Sequence, residues 1–509
     1  MNIKQAKQEI TNTLKAYLAK DQLGNYLIPT VRQRPVLLMG PPGVGKTQIM
    51  EQIAAETGVG LVAYTITHHT RQSAIGLPFI EKRTYGGEEV SVTEYTMSEI
   101  LSSVYRLMER TGLQEGILFL DEINCVSETL APMMLQFLQC KTFGNQALPE
   151  GWLIVAAGNP PEYNKSVRDF DVVTLDRVKR IDVEEDYGVW KAYARRKNLH
   201  GAILSYLDIK KDNFYRIENT ADGLQFATAR GWEDLSELLY AYETLGIRAD
   251  REVVGQYIQM PRIAKDFANY LEMFYKYQKT YHVEGILSGT WENITVLELR
   301  EAPFDEKLSV MGLVLSRLSE EARNTRRQDA LTDALHTALT EFREKITDAP
   351  PLTVLDQLLW KRRTAMKQAK EAGQLDKESR DLKQREINAL EDYRQRLDRE
   401  AVAPEGAMDA VRGWFGEEVE RRKAVAMETK DMFDNAFRFL ETTFGDSQEL
   451  VIFVTEITAG YDTSWFVEQF GCDAYFRHNR ELLFDSTRHR IREEIAAAKA
   501  AEQEENNHA

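Results

Sequence analysis

Cysteine is scarce in this sequence, with only Cys125, Cys140 and Cys472 among 509 residues. An odd number this small, with no CxxC spacing, argues against a disulfide framework, and no His, Cys or carboxylate set has zinc spacing. A low and odd cysteine count is typical of a reducing compartment. We therefore predict a cytoplasmic location.

Long hydrophobic runs are also missing. The longest, such as residues 450–454 and 152–157, are far shorter than the roughly 18 residues that a membrane span needs. The first twenty residues lack the apolar core of a secretory signal, and Ile3, Ala6 and Ile10 recur there at helical spacing instead. We expect no membrane partner.

Positive charge is in deficit, because 64 Lys and Arg stand against 80 Asp and Glu, a formal charge of −16. Such a field repels phosphate backbones and disfavours nucleic acid as a partner. The apolar share of 43% and the charged share of 28% are close to those of globular proteins. At roughly 100–200 residues per domain, the length suggests about three domains.

Short apolar runs rich in branched residues occur at 36–39, 61–66, 117–120 and 153–157, and helical patterns separate them. Continuous apolar strands that alternate with helices indicate a parallel sheet covered on both faces, so we predict an α/β core over residues 1–182.

Two insertions on this core are expected. Residues 76–111 predict a hairpin that turns at Gly86-Gly87, followed by a helix, and residues 141–148 predict a smaller hairpin.

The rest of the chain is predicted to be helical, with an all-helical lid at 183–285 and a mostly helical extension at 286–509. Within the extension, residues 352–400 fit a helical hairpin or short coiled coil, and a solvated outer helix explains the same charge density. The apolar run at 450–457 fits either a strand or a buried helix. The last residues of the chain are expected to form a helix that frays.

Residues 40–47 read GPPGVGKT, directly after the first apolar run and directly before a helical pattern. This satisfies G-x-x-x-x-G-K-[ST], in which backbone N–H groups and a helix N-terminus bind phosphate oxygens. Lys46 would reach the β- and γ-phosphates, and the Thr47 hydroxyl would bind Mg²⁺. The predicted nucleotide-binding set is Gly40, Pro41, Pro42, Gly43, Val44, Gly45, Lys46, Thr47 and Gln48.

Polar residues follow two later runs, at the edge where open α/β sheets bind ligands. Asp121 would hold Mg²⁺ and Glu122 would orient and deprotonate the attacking water. Asn159, in GNPP, would hold that water or contact the γ-phosphate. Taken alone, the two acids fit an ordinary acidic loop equally well, and Asn159 also fits a turn. Thr67 or His68, after the second run, could contact the same network or be loop residues.

In this order the motifs resemble an AAA+ ATPase of the P-loop NTPase fold, and specifically its MoxR branch with a helix-two insertion. The resemblance spans roughly residues 3–285. It rests on GPPGVGKT at 40–47, LFLDEIN at 118–124, AAGNPPEYN at 156–164, LDRVKR at 175–180 and ATAR at 227–230.

The resemblance implies ATP and Mg²⁺ as cofactors, with Glu122 as the general base and Asn159 as the γ-phosphate sensor. It also implies that Arg177 is an arginine finger acting in the neighbouring subunit and that Arg230 is the sensor arginine of the lid. Arg168 and Arg180 are alternatives for the finger. The chain departs from the family pattern at two places, with Val178 where Phe is common and Thr228-Ala229 where Ser-Pro is common.

For the whole protein, the resemblance implies a ring, usually of six subunits, that remodels or matures a protein client with a partner carrying a von Willebrand factor A domain. Residues 286–509 would then be the adaptor. Two alternatives remain. One is a nucleic-acid-dependent motor in which Lys82-Arg83 would contact the DNA or RNA strand, and the other is a scaffold that hydrolyses nucleotide slowly and is switched by it. The preference for ATP over GTP comes from the resemblance alone.

Overall fold

The computed structural model describes residues 1–68, 72, 74, 76–86, 88–143, 146–163, 167, 170–220, 223–372 and 375–480. They fall into two compact units that alternate along the chain. The first unit is Met1–Val189 with Glu341–Pro404, and the second is Trp190–Thr340 with the described residues from Glu405 onward.

The strands are β1 (Val36–Met39), β2 (Gly60–Thr65), β3 (Pro78–Tyr85), β4 (Glu88–Tyr95), β5 (Gly116–Asp121), β6 (Thr142–Phe143), β7 (Gln146–Ala147), β8 (Trp152–Gly158), β9 (Lys179–Asp182), β10 (Arg216–Thr220) and β11 (Gly223–Ala227).

The α-helices are α1 (Ile3–Leu18), α2 (Lys46–Thr57), α3 (Glu99–Thr111), α4 (Ala131–Cys140), α5 (Val172–Leu175), α6 (Tyr187–Arg196), α7 (Gly201–Ile209), α8 (Ala229–Leu245), α9 (Arg251–Tyr257), α10 (Pro261–Thr280), α11 (Val283–Ser288), α12 (Asn293–Glu301), α13 (Phe304–Lys345), α14 (Pro351–Glu371), α15 (Lys377–Arg399), α16 (Ala407–Phe444), α17 (Gln448–Ala459) and α18 (Tyr461–Phe470). Short 3₁₀ turns lie at Thr30–Arg32, Ile66–His68, Lys211–Asn213 and Pro404–Gly406.

Five strands of the first unit form a parallel sheet in the order β2-β5-β8-β1-β9, which confirms the predicted α/β core. Successive strand residues point to opposite faces. Val36 and Leu38 therefore join one buried cluster with α1 and α2, while Leu37 and Met39 join the other with α3 and α4. The edge strand β9 was not predicted, because only one of its four side chains, Ile181, is buried.

The register of the sheet decides what meets at its carboxyl edge. Met39 lies opposite Gly158, and Thr65 lies opposite Asp121. The loops that follow these four residues therefore leave the sheet at the same edge.

Antiparallel hairpins form in both predicted insertions. β3 pairs with β4 up to Tyr85 opposite Glu88, and β6 pairs with β7. The second turn, at 144–145, lies outside the described residues.

Helices α14 and α15 pack against each other, and both belong to the first unit. The buried side of α15 carries Ile387, Leu390, Tyr393 and Leu397. The C-terminal end of α14 also meets α3, where the Arg110 guanidinium donates to the Glu371 carbonyl oxygen at 2.8 Å. Two helices of the extension thus share a unit with the α/β core.

The second unit is mostly helical, but the expectation of an all-helical lid at 183–285 is wrong at one place. β10 and β11 form an antiparallel hairpin there, from Arg216 opposite Ala227 to Thr220 opposite Gly223. Strands of five residues are too short to stand out among helical patterns. The ambiguous run at 450–457 lies in α17 and is therefore helical.

Within the described part of the chain, the model contains no helix with the length and apolar content needed to cross a membrane. The frayed C-terminal helix predicted after residue 480 lies outside the described residues.

Candidate functional site

The loop between β1 and α2 winds through left-handed backbone at two glycines. Gly43 has φ 77° and Gly45, the N-cap of α2, has φ 91°, conformations that glycine adopts without a Cβ penalty. No side chain caps this end, and a helix N-terminus that follows a glycine-rich loop is a common binding site for anions.

Lys46 is the first residue of α2 and is only 8% exposed. Its ammonium donates to the carbonyl oxygens of Gly40 at 2.7 Å and Pro41 at 2.8 Å, and to Asn159 Oδ1 at 2.8 Å. The loop lysine and the amide after β8 are thus in direct contact.

The Thr47 hydroxyl donates to Asp121 Oδ2 at 2.9 Å. Thr47 lies in the first turn of α2 and Asp121 ends β5, so the sheet brings together two residues that are 74 positions apart. A hydroxyl and a carboxylate are hard oxygen donors of the kind that Mg²⁺ prefers, and the pair fits the predicted metal-binding role.

Glu122 follows directly, with an unusual positive φ of 56°. The hydroxyl of Thr67, from the turn after β2, donates to Glu122 Oε2 at 2.9 Å. The backbone N–H of Glu122 donates to Asp121 Oδ1 at 2.9 Å. The carboxylate is therefore oriented by a neighbouring strand end, while the side chain of His68 lies outside the described set.

Asn124 is the last residue of the LFLDEIN motif, and the sequence alone indicates no role for it. Its side chain is 3% exposed, and its Nδ2 donates to the Asn159 carbonyl oxygen at 2.7 Å. The amide also covers Gly158, where an added Cβ would lie 2.6 Å from Asn124 Oδ1. The close approach leaves no room for a Cβ at the end of β8 unless the Asn124 amide moves.

The arginine candidates lie further along the first unit. Arg177 follows α5, is exposed, and donates through its guanidinium to Gln139 Oε1 on α4. Hydrogen bonds from Thr174, with a smaller effect of the Arg177 charge, lower the pKa of Asp171 below its ordinary value. Arg180 pairs with Asp182 at 2.8 Å, and Arg168 lies outside the described residues.

Arg230 belongs to the second unit, where it is an exposed residue in the first turn of α8. Thr228 caps this helix, because its side chain accepts from the Gly231 N–H at 3.3 Å. The role of Arg230 as a sensor remains a prediction.

A phosphate loop between β1 and a helix N-terminus, an acid pair after β5 and an amide after β8, the strand between β5 and β1, define a P-loop nucleotide-hydrolysing domain. Residues 35–178 match the model for the AAA domain of the dynein-related subfamily. The chain therefore contains an AAA ATPase domain. Its finer assignment to the MoxR branch remains a prediction.

No curated protein matches the chain. Among solved structures, a protein from Cytophaga hutchinsonii ATCC 33406, provisionally described as an ATPase, matches at 17% identity with a TM-score of 0.22. That match covers 36% of this chain and 52% of the other, so it spans about half the length of that protein.

Proposed function

We propose that this chain hydrolyses ATP with Mg²⁺ as one subunit of a ring, and that it uses the cycle to remodel or mature a protein client. The observation that supports it best is the convergence of Lys46, Thr47, Asp121 and Asn159 at one sheet edge, where two hydrogen bonds join Lys46 to Asn159 and Thr47 to Asp121.

The loop N–H groups and Lys46 would bind the phosphates, and Lys46 would exchange its loop carbonyl partners for phosphate oxygens. Thr47 and Asp121 would hold Mg²⁺, which would neutralise charge on the β- and γ-phosphates. Glu122, oriented by Thr67, would accept the proton of the attacking water. Asn159 would orient the γ-phosphate or that water.

Arg177 would complete the site of a neighbouring copy. A guanidinium is suited to this role because charge spreads over the equatorial oxygens during γ-phosphoryl transfer, and a finger supplied in trans is worth about 10³–10⁵ in rate in GTPases. Its exposure fits a residue that acts on another molecule.

A protein client fits the charge of the chain better than nucleic acid does. The net charge is −16. Lys82 and Arg83, which the motor alternative places against a nucleic-acid strand, both form ion pairs within their own β-hairpin. Lys82 lies 3.4 Å from Glu89, and Arg83 lies 2.9 Å from Glu81 and 3.2 Å from Glu94. The resemblance to MoxR proteins supports a partner with a von Willebrand factor A domain.

Mixing two inactive variants tests the shared site. Glu122→Gln removes the base and Arg177→Ala removes the finger, so each alone should be nearly inactive. Mixed rings would contain some sites with both groups intact, and we expect turnover to reappear with a maximum at intermediate subunit ratios. Arg180→Ala tests the alternative finger, and we expect it to keep normal turnover. An Arg177→Ala protein with normal turnover would refute the finger assignment.

Stimulation of turnover separates the two kinds of partner. We expect a co-purifying protein, captured by the Glu122→Gln variant with ATP, to stimulate the wild-type ATPase. Stimulation by DNA or RNA, weakening steeply as salt rises, would instead support the motor alternative.

A further inference from the structure

Asn159 needs an anchor that its own segment of chain does not provide. β8 ends at Gly158, directly before Asn159. The two residues after Asn159 are Pro160 and Pro161, which have no N–H groups to donate. The carbonyl of Asn159 is instead held by a side chain from another strand end, that of Asn124, at 2.7 Å.

The position of Asn124 is itself tightly determined. The preceding N–H, from Ile123, donates to the Ala157 carbonyl oxygen at 2.9 Å, which extends the contact between the ends of β5 and β8. The amide then lies against Gly158 with 3% exposure. Two hydrogen bonds therefore connect the residues that follow the acid pair to the end of β8 and to the backbone of Asn159.

The amide of Asn124 is not fully used within the described structure. Its Oδ1 is buried and has no hydrogen-bond partner among the described residues. A buried acceptor without a partner is unfavourable, and such groups in native proteins often have a functional reason. The fold places one beside the predicted phosphate sensor.

We propose that Asn124 is a positioning residue for ATP hydrolysis. Its Nδ2–H fixes the main chain of Asn159 so that the Asn159 side-chain oxygen faces Lys46 and the site of the γ-phosphate. This inference rests on the proposed ATPase function and on the Lys46–Asn159 contact of 2.8 Å.

The test uses the full-length chain with Asn124→Leu, which keeps the size of the side chain but removes the donor. A displaced sensor should lower kcat about 10- to 100-fold, because misplacement by about 1 Å costs on the order of 10²-fold, with KM for ATP changed less than about threefold. Asn435→Leu is the matched control, since Asn435 Nδ2 also donates to a carbonyl oxygen, that of Leu287, at 2.8 Å. We expect normal turnover from the control.

A double-mutant cycle separates positioning from a merely structural effect. If Asn124 acts through Asn159, then Asn124→Leu should reduce kcat less than about twofold in an Asn159→Ala background, because the amide that it positions is gone. A full additional loss in that background would overturn the proposal. So would a normal kcat for Asn124→Leu alone, or a kcat loss matched by an equal rise in KM.

Wild-type turnover distinguishes a failure of this inference from a failure of the proposed function. Active wild-type protein with an unaffected Asn124→Leu variant would refute this inference alone. Wild-type protein without ATPase activity at any concentration would refute the proposed function, and this inference with it.

Discussion

Thr67 and Glu122 form the contact that decides how the proposed base is oriented. The Thr67→Val substitution removes the hydroxyl that donates to Glu122 Oε2 at 2.9 Å, while keeping the shape of the side chain. We expect kcat to fall about three- to tenfold, because the carboxylate loses its orientation but keeps its chemistry. Steady-state kinetics would measure this, and Thr67→Ser, which retains the hydroxyl, should restore most of the rate. Equal rates for the Val and Ser variants would contradict the prediction.

Substitution of Gly158 should lower the stability of the protein. In Gly158→Ala the added Cβ would lie 2.6 Å from Asn124 Oδ1, a distance that forces the amide to move. We expect a loss of about 1–3 kcal/mol in the free energy of unfolding, typical of overpacking.

Gly255→Ala is the control for Gly158→Ala. It lies in α9, and nothing lies within 4 Å of an added Cβ there. It should be neutral or should stabilise the protein by up to about 1 kcal/mol, because alanine is the better helix former. Thermal denaturation of both variants would measure the two effects, and equal melting temperatures would show that the contact at Gly158 yields without strain.

The sequence predicts which residues would bind phosphate and Mg²⁺, and the structure adds which contacts these residues make. Lys46, Thr47 and Asp121 could be identified because their spacing around strands and a helix start is itself the signal. The contacts of Thr67 with Glu122 and of Asn124 with Asn159 depend on which strands are neighbours and in what register. A single sequence carries little information about either, so Asn124 had no predicted role and Thr67 was only one of two options.

At the scale of elements, the helical pair α14–α15 depends on a largely buried arginine. The Arg362 guanidinium reaches Glu386 at 2.7 Å and Glu341 at 2.9 Å, and its side chain is 18% exposed. Arg362→Met should cost about 3 kcal/mol, since it leaves the Glu386 carboxylate buried without its partner.

The next residue supplies a matched comparison. Arg363 pairs with Glu391 at 2.8 Å, but its side chain is 54% exposed. Because solvent screens such a pair, Arg363→Met should cost less than about 1 kcal/mol. Urea unfolding of both variants would give the difference, and similar losses would mean that burial does not determine the strength of the Arg362 cluster.

Elements with strong patterns could be predicted, and those with weak ones could not. The apolar runs of β1, β5 and β8 are buried on both faces, so their strands were evident from composition. β9 is an edge strand with polar residues, and β10 and β11 are half exposed. None of the three has an apolar pattern strong enough to distinguish it from the surrounding helical sequence. The run in α17 was ambiguous because a short buried helix and a buried strand look alike in sequence.

At the scale of the whole molecule, the order of the units along the chain departs most from sequence reasoning. Motifs suggested a core, a lid and an extension in succession, but residues 341–404 return to the unit that holds the phosphate loop. The charge density of this stretch fits an outer helix and a helical pair equally, since both expose most of their surface. Only long-range contacts, such as that of Arg110 with Glu371, assign it to the first unit.

Assembly is the property of the whole molecule on which the proposed mechanism depends. Val172, at the start of α5, is 81% exposed, and it precedes the proposed finger Arg177 by five residues. If this surface contacts the neighbouring subunit, ATPase activity per subunit should rise with protein concentration, since the finger reaches a site only in the assembled ring. Val172→Gln should raise the concentration of half-maximal activity about tenfold, because burying one Val is worth about 1.5 kcal/mol and 1.4 kcal/mol is a factor of ten. Val451→Gln, at an exposed valine on α17 of the second unit, is the control and should leave the midpoint unchanged. Activity per subunit that is independent of concentration down to nanomolar protein, together with a monomeric mass in solution, would contradict a shared active site.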